Sequence, residues 1–170
     1  MKPDGPVLIA LGANLPSRLG GPRETLAAAL DDLAARGVRT VARSRWYRTP
    51  PWPPSDQPWY VNAVACVATD LDPAALLAVL HAVEHDLGRA RTVPNAARPV
   101  DLDLIAHGTH VMEGNITVPH PRLQERAFVL LPLRDVAPGW VDPRSGRPVD
   151  DLVAALPADD VAACEVIEQA

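Results

Sequence analysis

The sequence predicts an α+β fold, a sandwich of ferredoxin-like type with the order β-α-β-β-α-β and additions at the C-terminus. Two observations carry this prediction. Short apolar or alternating runs are interleaved with two helix-length amphipathic segments, each closed by a glycine, and no repeat or linker divides the chain. A length of 170 residues suits one core, so we expect a single domain over residues 1–170 with its core at 7–140.

Each element follows from local chemistry. Val7 to Leu11 is an apolar run stopped by Gly12, the pattern of a buried strand. Glu24 to Arg36 carries Leu26, Leu30 and Leu33 at helical spacing and meets a C-cap glycine at Gly37. Val38 to Arg48 partly alternates apolar and polar residues and reads as one strand. Pro50 to Pro58 holds five prolines, which fix φ and remove backbone donors, so it reads as a loop of restricted freedom. Tyr60 to Thr69 resumes β character. Asp72-Pro73 supplies an N-cap and a first-turn proline for a helix running to Leu87, before Gly88. Asp101 to Ala106 is a further strand, and Arg122 to Val136 a helix that Pro132 bends or ends. Asp142 to Gly146 is a turn, and the Ala-rich tail after Pro157 is expected to be peripheral.

Composition mostly excludes. A net charge of −5 argues against a general nucleic-acid binder, which needs surplus Lys and Arg to neutralise phosphates. Val7 to Leu11 is too short for a signal peptide or a membrane span, so a cytoplasmic protein without membrane association is expected. Cys66 and Cys164 have no metal-ligand spacing and form no disulfide framework. Fifteen of the sixteen basic residues are Arg, whose planar fork suits phosphate, although a GC-rich genome produces the same bias. Aromatics are scarce. Five of the seven (Trp46, Tyr47, Trp52, Trp59 and Tyr60) fall within fifteen residues, which points to a ligand surface there.

The segment from Arg98 to Ile105 carries the chemistry. On a strand, Asp101 and Asp103 share one face, about 6.6–7 Å apart at Cα, while Leu102 and Leu104 face the core. Paired carboxylates repel unless a cation sits between them. Magnesium fits, since it takes carboxylate, water and phosphate oxygens, and two such ions can clamp a polyphosphate. An ordinary solvated strand face is the competing reading. Arg89, Arg91 and Arg98 precede the pair, and Arg122 and Arg126 follow it. Arginines beside a metal site can follow charge on a transferring phosphoryl group, although any one alone is more often a surface residue. No G-x-x-x-x-G-K-[ST] stretch occurs, and Gly12-Ala13-Asn14 is too short a match to count as a phosphate loop. His81 to His85 matches the H-x-x-E-H zinc pattern. The buried stripe of Leu76, Leu80, Val83 and Leu87 leaves both histidines on its polar flank, where two solvated side chains are the plainer reading.

Taken together, ALGANL, YRTPPW…DQPWYVNA, EHDLGRAR, RPVDLDLI and ITVPHPRLQERAFVLLPLRDVAP resemble the 6-hydroxymethyl-7,8-dihydropterin pyrophosphokinase family, from Ile9 to Pro138. No one stretch is decisive; their ordered combination is specific. The resemblance implies transfer of pyrophosphate from ATP to the pterin hydroxymethyl group, with release of AMP, in folate biosynthesis. It implies that Asp101 and Asp103 hold two Mg²⁺, and that Arg89 and Arg98 act from a catalytic loop. His120 and Arg126 match contacts to the ATP phosphates, with Glu84, Arg91 and Thr117 in the nucleotide site. Tyr60 and Phe128 match an aromatic pair around the pterin ring. Asn62 matches the reader of the ring edge, and Thr49, Pro50 and Trp52 match contacts made mainly through the backbone. Where many relatives carry Trp-Gly-Pro-Arg before the aspartates, Asn95-Ala96-Ala97-Arg98 stands here. That departure keeps open an alternative, a non-catalytic pterin- or nucleotide-binding module.

Overall fold

Every residue of β1 (Val7–Ala13) is buried, because this strand lies mid-sheet between two cores. The structure, a computed structural model, describes residues 5–88 and 100–167. β1 pairs antiparallel with β4 (Tyr60–Ala68) on one side and β5 (Asp101–His107) on the other. β2 (Arg39–Arg43) and β3 (Trp46–Thr49) both pair with β4, and β6 (Glu165–Ile167) pairs with β3. The strand order is β5-β1-β4-β3-β6, with β2 beside β4. This is the ferredoxin-like arrangement expected, widened by an edge strand.

Two helices, α1 (Pro22–Ala35) and α2 (Pro73–Asp86), cover one face of the sheet. Their Leu26, Leu33, Leu76 and Leu80 are fully buried against Val7, Ile9 and Leu11. Each such leucine contributes about 1.5–3 kcal/mol by leaving water. At the start of α2 the Asp72 carboxylate accepts the Ala75 backbone N–H at 2.8 Å, with Pro73 in the first turn, as the sequence predicts. The opposite face, which includes Leu8, Ala10 and Val64, is covered by α3 (Ala127–Val136) and α4 (Val149–Ala154). An apolar run with no polar alternation, like Val7 to Leu11, is what a strand buried on both faces requires.

Three expectations are corrected. Val38 to Arg48 is two strands, not one. Between them the Ser44 hydroxyl accepts the Val64 backbone N–H at 2.9 Å and donates to the Arg45 carbonyl, taking over a ladder bond and turning the chain. Arg122 to Val136 is not one helix either: a 3-10 turn, Leu123–Glu125, precedes α3, and Arg126 between them is extended (φ −113°, ψ 93°). Pro132 sits inside α3 without ending it. Finally, the core runs past residue 140, because Val149, Leu152, Val153 and Leu156 pack on the α3 side of the sheet. Within the tail, α5 (Ala158–Ala162) buries no residue, while β6 joins the sheet at its edge. Among the described residues no helix is long and apolar enough to cross a membrane.

Register places the site. Gly12 is the partner of Asn62 on β4 and of Asp101 on β5. With neighbouring strands about 4.7–4.9 Å apart, Asn62 and Asp101 stand about 10 Å from each other across a glycine.

Candidate active site

A cleft of about 350 Å³ opens over this junction of β1, β4 and β5. Its apolar end is walled by the proline-rich segment 50–58 and by the start of α3. Thr49, Pro50, Trp52, Tyr60, Asn62 and Phe128, read from sequence as one set, all line it. Thr49 and Asn62 are buried, and the Asn62 amide donates to the Thr49 hydroxyl, which fixes the orientation of the side chain. The Trp52 and Phe128 rings stand 6.4 Å apart at a tilt of 49°. Tyr60 borders the same space, its hydroxyl donating to Gln57 Oε1 at 3.5 Å. Of the five clustered aromatics, Trp46 and Tyr47 belong to the two cores. Trp59 lies at the surface, covered by the Arg48 guanidinium at 4.2 Å. The cluster is therefore partly packing, with only Trp52 and Tyr60 facing the cleft.

At the charged end lie Asp101, Asp103, His120 and Arg126. The alternation of β5 sends Leu102 into the core and leaves both carboxylates half-exposed toward the cleft. The break at Arg126 has a purpose here. Its extended backbone releases the side chain from the helix path, and Nη1 comes within 3.8 Å of Asp103 Oδ2. Its Nε is buried with no hydrogen-bond partner among the described residues. Burial pulls the Arg126 pKa down while Asp103 holds it up; an arginine keeps its charge regardless.

His120 is placed by its backbone N–H, which donates to the Ile105 carbonyl at 2.9 Å. Nδ1 accepts the Arg122 backbone N–H at 3.2 Å, so the proton of the neutral ring resides on Nε2. Burial, with Arg126 and Arg122 adding to it and Asp101 opposing, pushes the imidazole down to about 4. His120 is thus a neutral donor near pH 7. The unfolded chain takes up this proton near 6.5 and the folded one only near 4, so stability present above 6.5 is lost as pH falls through that window. We expect urea denaturation of the apo protein to show a loss of about 1 kcal/mol from this group between pH 7 and 5, discounted for residual solvent access. The slope should flatten in His120→Asn.

Two other expected site residues, Glu84 and Thr117, do not line the cleft. Glu84 is buried at 1% exposure and does not line the cleft; its carboxylate accepts the Leu102 backbone N–H at 2.8 Å, anchoring β5. Thr117 is also outside the lining, its hydroxyl donating to the Gly114 carbonyl at 3.4 Å. Arg89, Arg91, Arg98 and the altered segment 92–97 fall outside the described residues. The zinc pattern is dispersed: His81 lines the cleft, Glu84 turns into the core, and His85 does not reach the lining. Among the described residues no group of three or more His, Cys, Asp or Glu is arranged to hold a metal.

Sequence reasoning passed over Gly12, Asn14 and Gln57. A Cβ on Gly12 would lie 2.6 Å from Asn62 Oδ1, so the glycine makes room for the amide oxygen. The available signals were a glycine ending a fully apolar run and the places of all three residues within ALGANL and DQPWYVNA.

A profile of the family described as 7,8-dihydro-6-hydroxymethylpterin-pyrophosphokinase (HPPK) matches residues 8–138. The chain is similar to a 2-amino-4-hydroxy-6-hydroxymethyldihydropteridine pyrophosphokinase of Methylorubrum extorquens, 42% identical over 144 residues, covering 84% of this chain and 90% of that one. It is 40% identical over 138 residues to the mitochondrial folate synthesis bifunctional protein of Arabidopsis thaliana, covering 80% of this chain and 24% of that protein. In fold it resembles a Plasmodium falciparum HPPK-DHPS triple mutant solved with pterin and p-hydrobenzoate, at a TM-score of 0.70 and 11% identity. That likeness covers 99% of this chain and 49% of the larger one.

Proposed function

Because the chain belongs to the 7,8-dihydro-6-hydroxymethylpterin-pyrophosphokinase family, we propose that the apolar end of its cleft takes the pterin and the charged end the ATP polyphosphate. The protein is an ATP-dependent pyrophosphokinase of folate synthesis, moving pyrophosphate onto a hydroxymethyldihydropterin. The single observation that supports this division of the cleft is the register that sets Asn62 and Asp101 on either side of Gly12.

At the apolar end a flat heterocycle gains most from aromatic faces, which Tyr60 and Phe128 offer with Trp52 beside them. Asn62 spends one N–H on Thr49, leaving its amide oxygen, above Gly12, to accept from an amino or ring N–H of the pterin edge. Thr49, Pro50 and Trp52 frame that edge. At the charged end Asp101 and Asp103 form a hard-oxygen pair on an open face, which fits Mg²⁺, and we assign them two ions when ATP is present. Bound magnesium neutralises charge on the polyphosphate oxygens. His120 Nε2–H donates to a phosphate oxygen without adding charge, and Arg126 supplies a fixed positive charge beside Asp103.

The pterin hydroxyl oxygen then attacks the β-phosphorus, forming the new P–O bond as the bond to the α-phosphate oxygen breaks. AMP leaves and the hydroxyl proton passes to water. Such a transfer needs alignment and charge neutralisation more than covalent help from the protein. Arg89 and Arg98 are assigned to that neutralisation, and Arg91 to the nucleotide, from their sequence positions. We assign the reaction to the cytoplasm.

Incubation with ATP, Mg²⁺ and 6-hydroxymethyl-7,8-dihydropterin should release one AMP per pterin diphosphate formed. Pterin binding without any AMP would overturn the reading in favour of a binding module.

A further inference from the structure

Resting on the assignment of the apolar end to the pterin, we propose that Asn14 is a positioning residue: it locks the proline-rich loop, residues 50–58, in place as the wall of that end. Asn14 follows β1 directly and is 3% exposed. Its Nδ2 donates to Gln57 Oε1 at 3.0 Å and to the Pro58 carbonyl at 3.2 Å. Gln57 Oε1 also accepts the Tyr60 hydroxyl. One buried amide thus ties the end of the central strand to the end of the loop and, through Gln57, to a cleft aromatic.

The loop needs an outside anchor for a reason written in its composition. Five of its nine residues are proline and cannot donate from the backbone, so it cannot be held by a ladder or a run of turn bonds. Within it, the Gln57 backbone N–H donating to the Ser55 hydroxyl at 3.2 Å spans only two residues. At the other side Trp52 is covered by the Arg122 guanidinium at 4.6 Å, a contact that is weakly directional. Asn14 supplies the directional, part-buried bonds. Trp52, Pro53, Pro54 and Gln57 all face the cleft, so a loop that shifts takes the ring wall with it. Gly12, two residues earlier on the same side of β1, forms the floor beneath Asn62. The short Gly-Ala-Asn stretch thereby serves the pterin end twice, once by omitting a side chain and once by anchoring the wall.

The test uses Asn14→Asp, which keeps the shape but removes the donor, together with Asn14→Ala, Gln57→Ala and the Asn14→Ala/Gln57→Ala pair. Each is measured for pterin and ATP dissociation constants, for KM and kcat, and for amide hydrogen exchange across 50–59. For both Asn14 variants we expect pterin Kd and KM to rise about 10-fold, with kcat and ATP affinity within about threefold of wild type. Exchange at Gln57 and Trp59 should quicken. The double variant should fall short of the product of the singles, since both remove the same bond. Unchanged exchange in Asn14→Asp, or ATP affinity falling as much as pterin affinity, would overturn the proposal. If the wild type binds no pterin, the assignment of the apolar end fails, and the exchange result alone decides whether Asn14 anchors the loop.

Discussion

Asp101→Asn and Asp103→Asn should each lower the rate of AMP release by about 10³-fold, a transition-state loss of about 4 kcal/mol. Both side chains lie on the open face of β5, half-exposed, while the neighbouring Leu102 carries the packing. Loss of either carboxylate charge therefore removes a proposed magnesium ligand without opening the core. Asparagine keeps the shape and one oxygen, but not the negative charge that draws a divalent cation out of water. Asp103→Asn also loosens the Arg126 contact, which at 3.8 Å and with a third of the aspartate side chain exposed contributes little to stability. Thermal melts should match wild type while single-turnover rates collapse. Near-wild-type turnover in both variants would refute the metal assignment.

Gly12→Ala should weaken pterin binding about 10- to 100-fold and leave ATP binding unchanged. The added Cβ meets Asn62 Oδ1 at 2.6 Å and Tyr60 Cδ2 at 3.8 Å. Asn62 has little room to yield, being 6% exposed and tied to Thr49. Gly12 has no left-handed backbone, so alanine is compatible with the strand and the loss should be local. Equilibrium binding of the two substrates separates the cases: equal loss for both would mean a strand-wide disturbance, and no loss for pterin would show that Asn62 does not read the ring.

What could be read along the chain depended on the distance over which the physics acts. The Asp72-Pro73 helix start was legible because capping involves residues three apart. The shared face of Asp101 and Asp103 was legible because strand periodicity is two. The split of residues 38–48 was not, since it rests on Ser44 meeting Val64 twenty residues away. The bond from the Leu102 backbone to Glu84, eighteen residues off, has no local signal either. Arg126 likewise reads as one residue of a continuous helix until its contact with Asp103 is seen.

Sequence alone determined the ferredoxin-like order of elements, the family and many of the polar and aromatic side chains at the cleft, because periodicity, caps and ordered motifs are local properties. Tertiary structure decided which of those side chains meet. It sent Trp46 and Tyr47 into opposite cores, bonded Glu84 to the Leu102 backbone of β5, and set Gly12 beside Asn62 and Asn14 against Gln57 and Pro58. The reason is register: pairing β1 with both β4 and β5 converts positions fifty and ninety residues apart into neighbours about 5 Å apart, a relation no local pattern encodes.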